Sequence, residues 1–190
     1  KWLAAGCAVY SLLEETSLGA ERISEIVKSV KAYSYLDQAP VQQVNVHEGL
    51  ENTLIILKHK TKEGVKIARE YATDLPQIEA YGSELNQVWT NILDNAIDAM
   101  NGEGNLVLRT FPSRDGCITV EIEDNGPGIT AEIQQRIFEP FFTTKPPGLG
   151  TGLGLHIAYT IVNKHHGQLR VQSQPGRTVF QVTLPIQLPR

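Results

Sequence analysis

The sequence predicts an α/β fold of the α+β kind: a two-layer sandwich whose mixed, mostly antiparallel sheet is covered by helices on one face, preceded by a long N-terminal helix. Three observations predict it. Strands arrive in pairs joined by short Gly- and Pro-bearing turns, as in hairpins. Helices of strong 3.6-residue periodicity separate the pairs. The clearest strand alternates apolar with polar side chains, so its sheet has one buried and one wet face. With 190 residues, 41% of them hydrophobic and 20% charged, the chain can bury a sizeable core.

From about Leu12 to Leu36, Ile23, Ile26, Val27 and Val30 recur at helical spacing with charges between them, and Asp37-Gln38-Ala39-Pro40 closes that helix as a hinge. This divides the chain into a helical segment, 1–40, and a second domain, 41–190. A helix is expected from His47 to Lys60, with Leu50, Leu54 and Leu57 on one face, and a strand over Val65–Arg69. Ser83 is placed to cap the strongest helix, in which Leu85, Val88, Trp89, Ile92, Leu93, Ala96, Ile97 and Met100 recur at offsets of three and four before Gly102. Strands Leu106–Phe111 and Cys117–Glu123 follow. In the second, Ile118, Val120 and Ile122 alternate with Thr119, Glu121 and Glu123. A short helix is expected from Thr130 to Phe138 and another from Leu153 to Lys164, stopping at Gly167, where His165 and His166 would serve the helix dipole as cations. Leu169–Ser173 and Thr178–Leu184, joined by Gln174-Pro175-Gly176, complete the pattern as a hairpin.

Charge is unevenly distributed. The net charge is -4, yet all 21 acidic residues lie at or before Glu139, against 12 basic residues there. The last 51 residues contain Lys145, Lys164, Arg170, Arg177 and Arg190 and no acid. No stretch is rich enough in Lys and Arg for a nucleic-acid interface. No apolar run of about 18 residues is available to contact or span a membrane. Cys7 and Cys117 stand far apart without a CxxC partner, which suits two reduced thiols in a cytoplasmic setting. A helical pattern already under way at Lys1 reads as a piece of a longer protein.

Three motifs carry chemistry. Asn91, Asn95 and Asp98 fall at i, i+4 and i+7, so they share one helix direction. Solvated stripes are usually Glu, Lys, Gln and Arg, whereas Asn and Asp are poorer helix formers. Two amide oxygens one turn apart suit a hard cation or a phosphate-bound Mg²⁺. Asp124-Asn125-Gly126-Pro127-Gly128-Ile129 reads either as a plain strand-to-helix turn or as an acid poised to accept a hydrogen bond from a ligand amine. Gly148-Leu149-Gly150-Thr151-Gly152-Leu153-Gly154-Leu155 opens a helix and leaves backbone N–H groups free for phosphate. It is no dinucleotide fingerprint, since no strand precedes it and no acid follows, and it lacks the GK[ST] ending of a phosphate-binding loop.

The order Asn91-xxx-Asn95, Asp124-xGxG, Phe138-Glu139-Pro140-Phe141-Phe142-Thr143-Thr144-Lys145 and Gly150-xGxG resembles the ATP-binding catalytic domain of sensor histidine kinases, in the superfamily shared with gyrase, MutL and ATP-driven heat-shock chaperones. The resemblance runs from about Val41 to Pro189. It implies that Asn95 offers its side-chain oxygen to a Mg²⁺ bridging the ATP phosphates, with Asn91 on the same phosphate-facing side and Asp98 one layer behind. It implies that Asp124 accepts the adenine amino group and that Gly126, Gly128 and Ile129 pass close to the base. Thr144 and Lys145 would belong to a lid, with Lys145 near the γ-phosphate. Gly150, Thr151, Gly152, Leu153, Gly154 and Leu155 would cradle the phosphates, and Thr178 would sit near adenine. The acid-free tail would then keep carboxylates away from the triphosphate.

Gyrase-like ATPases carry a water-activating glutamate where this chain has Asn91, which has no basic lone pair. Phosphoryl transfer to a positioned nucleophile is therefore favoured over hydrolysis. The resemblance implies a protein-histidine kinase of a two-component system, a homodimer through the N-terminal helix, and a response-regulator receiver domain as partner. None of His47, His59, His156, His165 or His166 has the acid-and-proline context of a phospho-acceptor, so the acceptor would lie upstream of Lys1. A regulatory ATP-binding module without autokinase activity and an anti-sigma-type serine/threonine kinase share the same pocket and remain alternatives.

Overall fold

The computed structural model describes residues 41–61, 64–146 and 148–189. The predicted helix Leu12–Leu36 and its hinge lie outside the described residues. Strand β1 (Gln42–Val44) leads into α1 (Val46–Thr61), β2 (Val65–Tyr71), β3 (Ile78–Ala80), α2 (Gly82–Ala99), β4 (Gly104–Pro112), β5 (Cys117–Asp124), the single turn α3 (Ala131–Gln134), α4 (Gly154–Lys164), β6 (Gln168–Gln174) and β7 (Arg177–Pro185). The main sheet has the order β2-β4-β5-β7-β6. Only the β2–β4 pair is parallel, because α2 carries the chain back between those strands. The remaining pairs are antiparallel, which gives the mixed, mostly antiparallel sheet expected.

One apolar layer unites this sheet with the helices. Leu106 and Leu108 of β4, Ile118, Val120 and Ile122 of β5, and Phe180, Val182 and Leu184 of β7 are all buried. Helix α2 lies against them with Leu85, Val88, Trp89, Ile92 and Leu93 at 0% exposure, so the stripe read from periodicity is the core-facing side. Removing the indole of Trp89 would cost about 3–5 kcal/mol, as for other large core truncations. Helices α1 and α4 both pack against α2.

Several local expectations are corrected. Ser83 does not cap α2. The helix begins at Gly82, and Tyr81 holds the cap position with no side-chain cap bond. Tyr81 is fixed there from a distance, since its N–H donates to His165 Nε2 at 3.1 Å and its ring meets the imidazole edge-on. His165 is correspondingly no dipole-serving cation: it is 1% exposed, and its Nε2 must accept from Tyr81 while Nδ1–H donates to the Ile161 carbonyl. Desolvation holds this imidazole below its ordinary pKa, so it stays neutral. The helix expected over Thr130–Phe138 stops at Gln134 and continues as turns to Phe141. Strands β1 and β3 form a separate two-stranded sheet that was not predicted.

Candidate functional site

Alternation along β5 sets the position of Asp124. Ile118, Val120 and Ile122 point into the core, and Asp124 is the next residue of the same parity, so it too faces inward, at the strand's end. Its register partner on β7 is Thr178, and that of Thr178 on β6 is Ser173. From β5 across β7 to β6 the last inward row, Asp124, Thr178 and Ser173, is thus polar where the row before it, Ile122, Phe180 and Val171, is apolar, and Leu106 of β4 closes the polar row on its other side. Asp124 is 2% exposed and Thr178 3%. Asp124 Oδ1 accepts the Gly126 N–H at 2.9 Å. Desolvation pushes its carboxyl above the usual carboxylate range, partly opposed by that backbone bond. Ser173 Oγ pairs with Thr178 Oγ1 at 2.8 Å and accepts the Ile129 N–H at 2.8 Å, which ties the loop after β5 to the β6–β7 hairpin.

Two glycines of that loop are required by close approach. A Cβ on Gly126 would lie 3.2 Å from Ala99 Cβ, so the loop crosses directly over the end of α2. Gly128 has φ +85°, and a Cβ there would lie 2.4 Å from the Gln174 carbonyl oxygen.

Helix α2 presents the second half of the site. Asn95 donates from Nδ2 to the Asn91 carbonyl one turn earlier at 2.8 Å, which turns its Oδ1 away from the helix backbone. That oxygen meets only a long contact, 3.4 Å, from Lys145 Nζ. The Lys145 ammonium is held by Asp98 Oδ2 at 2.5 Å. Asp98 also faces Lys60 at 3.4 Å, and Lys60 binds Asp94 at 2.5 Å. The Asn91 Nδ2 amide is buried without any hydrogen-bond partner. The Oδ1 of the same amide faces the start of α4, where a Cβ on Gly154 would come within 3.3 Å of it. The glycine segment therefore brings an uncapped helix N-terminus, with Leu153 at its cap position, against the asparagine stripe.

The remaining residues of the glycine segment are divided between packing and solvent. Gly152, at φ +67°, admits the Phe141 backbone so closely that a Cβ would lie 2.4 Å from the carbonyl carbon. A Cβ on Gly150 would meet Thr143 Oγ1 at 2.7 Å. Thr144 and Thr151 are exposed, and Leu155 is half-buried on the first turn of α4. The structure thus gathers Asn91, Asn95, Asp98 and Lys145 through direct contacts and joins Gly154 to them. It gathers Asp124, Gly126, Gly128, Ile129 and Thr178 into a second group, and the Gly126–Ala99 approach links the two.

Sequence reasoning missed Ser173, Lys60 and Asp94. Ser173 was detectable as a small hydroxyl at an inward position of a hairpin, opposite Thr178. Lys60 gave no local signal, since its partners lie on another helix. The histidines serve the fold: His47 stacks on Tyr71 at 4.5 Å and bonds Thr110, His59 bonds the Ile56 carbonyl, and His156 Nδ1–H donates to the Phe138 carbonyl. A cavity of about 360 Å³ beside Tyr159, Asn163 and His166 shares no residue with the site. Among the described residues no helix is long and apolar enough to cross a membrane.

A sequence model of the histidine kinase-, DNA gyrase B-, and HSP90-like ATPase family matches residues 81–188. The signal transduction histidine-protein kinase AtoS of Escherichia coli is 36% identical over 168 residues, covering 87% of this chain and 27% of AtoS. The chain thus spans about a quarter of that curated relative. The solved structure of the mycobacterial sensor histidine kinase MprB is 28% identical, with a TM-score of 0.69, covering 78% of this chain and 99% of that one. Histidine kinase ThkA, solved in complex with the response regulator protein TrrA, shares the fold at a TM-score of 0.70 and 24% identity, covering 88% of this chain and 48% of its own.

Proposed function

The chain belongs to the histidine kinase-, DNA gyrase B-, and HSP90-like ATPase family, and from that premise we propose that it is the ATP-binding catalytic domain of a two-component sensor histidine kinase. The observation that carries this reading is the buried, unpartnered Asn91 amide beside the uncapped N-terminus of α4. An orphaned donor inside a fold is costly unless a ligand supplies its acceptor. Together with the free N–H groups of the helix start, it suits phosphate oxygens.

Asp124 takes the other end of the nucleotide. Its desolvated carboxyl accepts the adenine amino group, whereas guanine would present a carbonyl oxygen there and leave two acceptors face to face. Thr178, Ser173 and Ile129 shape the wall around Asp124, and Gly126 and Gly128 let the backbone approach the base.

Asn95 Oδ1, turned outward and poorly satisfied, fits a hard divalent cation as its protein oxygen ligand, the rest of the coordination coming from phosphates and water. When bound, Mg²⁺ would neutralise charge on the β- and γ-phosphate oxygens. Asn91 orients phosphate but cannot take a proton from water, so the site spares ATP from hydrolysis. Lys145 stabilises the γ-phosphoryl group as it leaves, and Gly150, Thr151, Gly152, Leu153, Gly154 and Leu155 place backbone donors around it.

In this reading the acceptor is a histidine that the given residues do not contain, since His47, His59, His156 and His165 bond the domain's own groups and none of the five, His166 included, has the acid-and-proline context of an acceptor. Passage of the phosphoryl group to a receiver domain is the step for which the ThkA–TrrA complex supplies the analogy, and dimerisation through residues 1–40 would present the acceptor. The test is calorimetric titration of the chain with Mg²⁺ and a non-hydrolysable ATP analogue. Asn95→Ala is expected to weaken binding about 10- to 100-fold, as for loss of a charge-assisted contact. Equal affinity in both proteins would overturn the metal assignment.

A further inference from the structure

One ammonium group spans two features that the nucleotide reading keeps apart. Lys145 Nζ lies 3.4 Å from Asn95 Oδ1, the oxygen assigned to the metal, and is ion-paired with Asp98. A cation in that place repels a divalent ion from the same oxygen. Asp98, one turn beyond Asn95, is itself an obstacle to a triphosphate. We propose that Asp98 latches Lys145 over the metal-binding asparagine while the pocket is empty, and that Lys60 takes over as counter-ion to Asp98 when Lys145 moves to the γ-phosphate.

The cluster is built for such an exchange. Asp94 and Asp98 stand one turn apart on α2, a spacing at which like charges destabilise a helix. Lys60, from the end of α1, reaches both, at 2.5 Å and 3.4 Å. Two lysines and two aspartates balance in the latched state. After Lys145 leaves, Lys60 remains between the aspartates, so Asp98 is never left without a cation. The side chains of Lys145 and Asp98 are 32% and 31% exposed, which keeps the pair weak enough for a multiply charged nucleotide to break it. Asp98 and Lys60 are thus positioning residues that act through Lys145.

The inference rests on the nucleotide reading, and a double-mutant cycle separates the two. The chain is titrated with AMPPNP and Mg²⁺ as wild type, Asp98→Asn, Lys145→Met and the double variant. Removing the latch is expected to tighten binding about 2- to 5-fold in Asp98→Asn, the range of a partly exposed ion pair. The gain is expected to shrink clearly in the Lys145→Met background, where only relief of repulsion is left. Lys60→Met strengthens the latch by leaving Asp98 dependent on Lys145, so it weakens binding several-fold, and that loss disappears once Asp98 is also Asn. The same gain from Asp98→Asn in both backgrounds, or no effect of Lys60→Met, overturns the latch while leaving the pocket intact. Failure of the wild type to bind AMPPNP overturns both.

Discussion

Replacing Gly128 with alanine perturbs the loop that follows Asp124, and its cost can be worked out in two parts. The first is conformational: φ is +85°, and an L-residue in left-handed backbone costs about 1–2 kcal/mol. The second is steric. The new Cβ would lie 2.4 Å from the Gln174 carbonyl oxygen, 2.7 Å from its carbon and 3.0 Å from Pro175 N, so contact begins about 1 Å short of ordinary distance against backbone that cannot rotate away. Overpacking of this kind costs a further ~1–3 kcal/mol. Gly116 supplies the control, since φ there is +70° and nothing lies within 4 Å of its Cβ position. Gly116→Ala should show only the first part. At about 2–4 °C per kcal/mol for a chain of this size, Gly128→Ala should melt roughly 4–20 °C below wild type and Gly116→Ala clearly less. Because Gln174 adjoins Ser173, the same displacement pulls on the bonds from Ser173 to Ile129 and Thr178, so AMPPNP affinity should fall in Gly128→Ala only. Circular-dichroism melts and calorimetry read both quantities. If Gly128→Ala melts like Gly116→Ala and binds like wild type, the close approach is not what fixes this glycine.

Asp124→Asn should stabilise the empty chain while abolishing adenine recognition. The carboxyl pKa is raised by desolvation, so the ionised group weakens the fold as pH rises through the folded value; an amide keeps the Gly126 bond without the charge. The variant's melting temperature should exceed wild type at pH 7, and the difference should shrink in acid. His165 gives the opposite sign. Its folded pKa lies below the ordinary 6.5 because of desolvation, so its contribution is complete above that value and lost as pH falls from 6.5 through the folded pKa. Melts of wild type and His165→Gln between pH 7.5 and 5 should show a steeper acid loss in wild type; parallel curves would refute the neutral, two-bond imidazole.

What could be read from sequence follows the range of the interactions involved. Helix α2 was legible because its core stripe repeats over 18 residues. The inward position of Asp124 was legible because it follows Ile118, Val120 and Ile122 at the same parity. Strands β1 and β3, at three residues each, are too short for any period to register. The start of α2 was misplaced because Tyr81 is fixed by His165, 84 positions away. The acid-free tail was read as clearing space for a triphosphate. The fold adds a second account: Lys145, Lys164 and Arg177 pair with Asp98, Glu84 and Glu123, all in the acid-rich part of the chain. Such pairings join charges far apart in sequence, which no local pattern reveals, and the same distance hid Lys60 and Asp94 from the site.

The central claim is that Asp124 makes this an adenine pocket joined to a phosphate-binding helix start. It is tested most directly by comparing Mg²⁺-AMPPNP with the corresponding guanosine analogue on the wild-type chain in one calorimetric series. The account predicts binding of the adenosine compound at least about tenfold tighter, the 1.4 kcal/mol or more expected when a buried acceptor meets a carbonyl instead of an amine. Equal affinities, or a preference for guanosine, would contradict it.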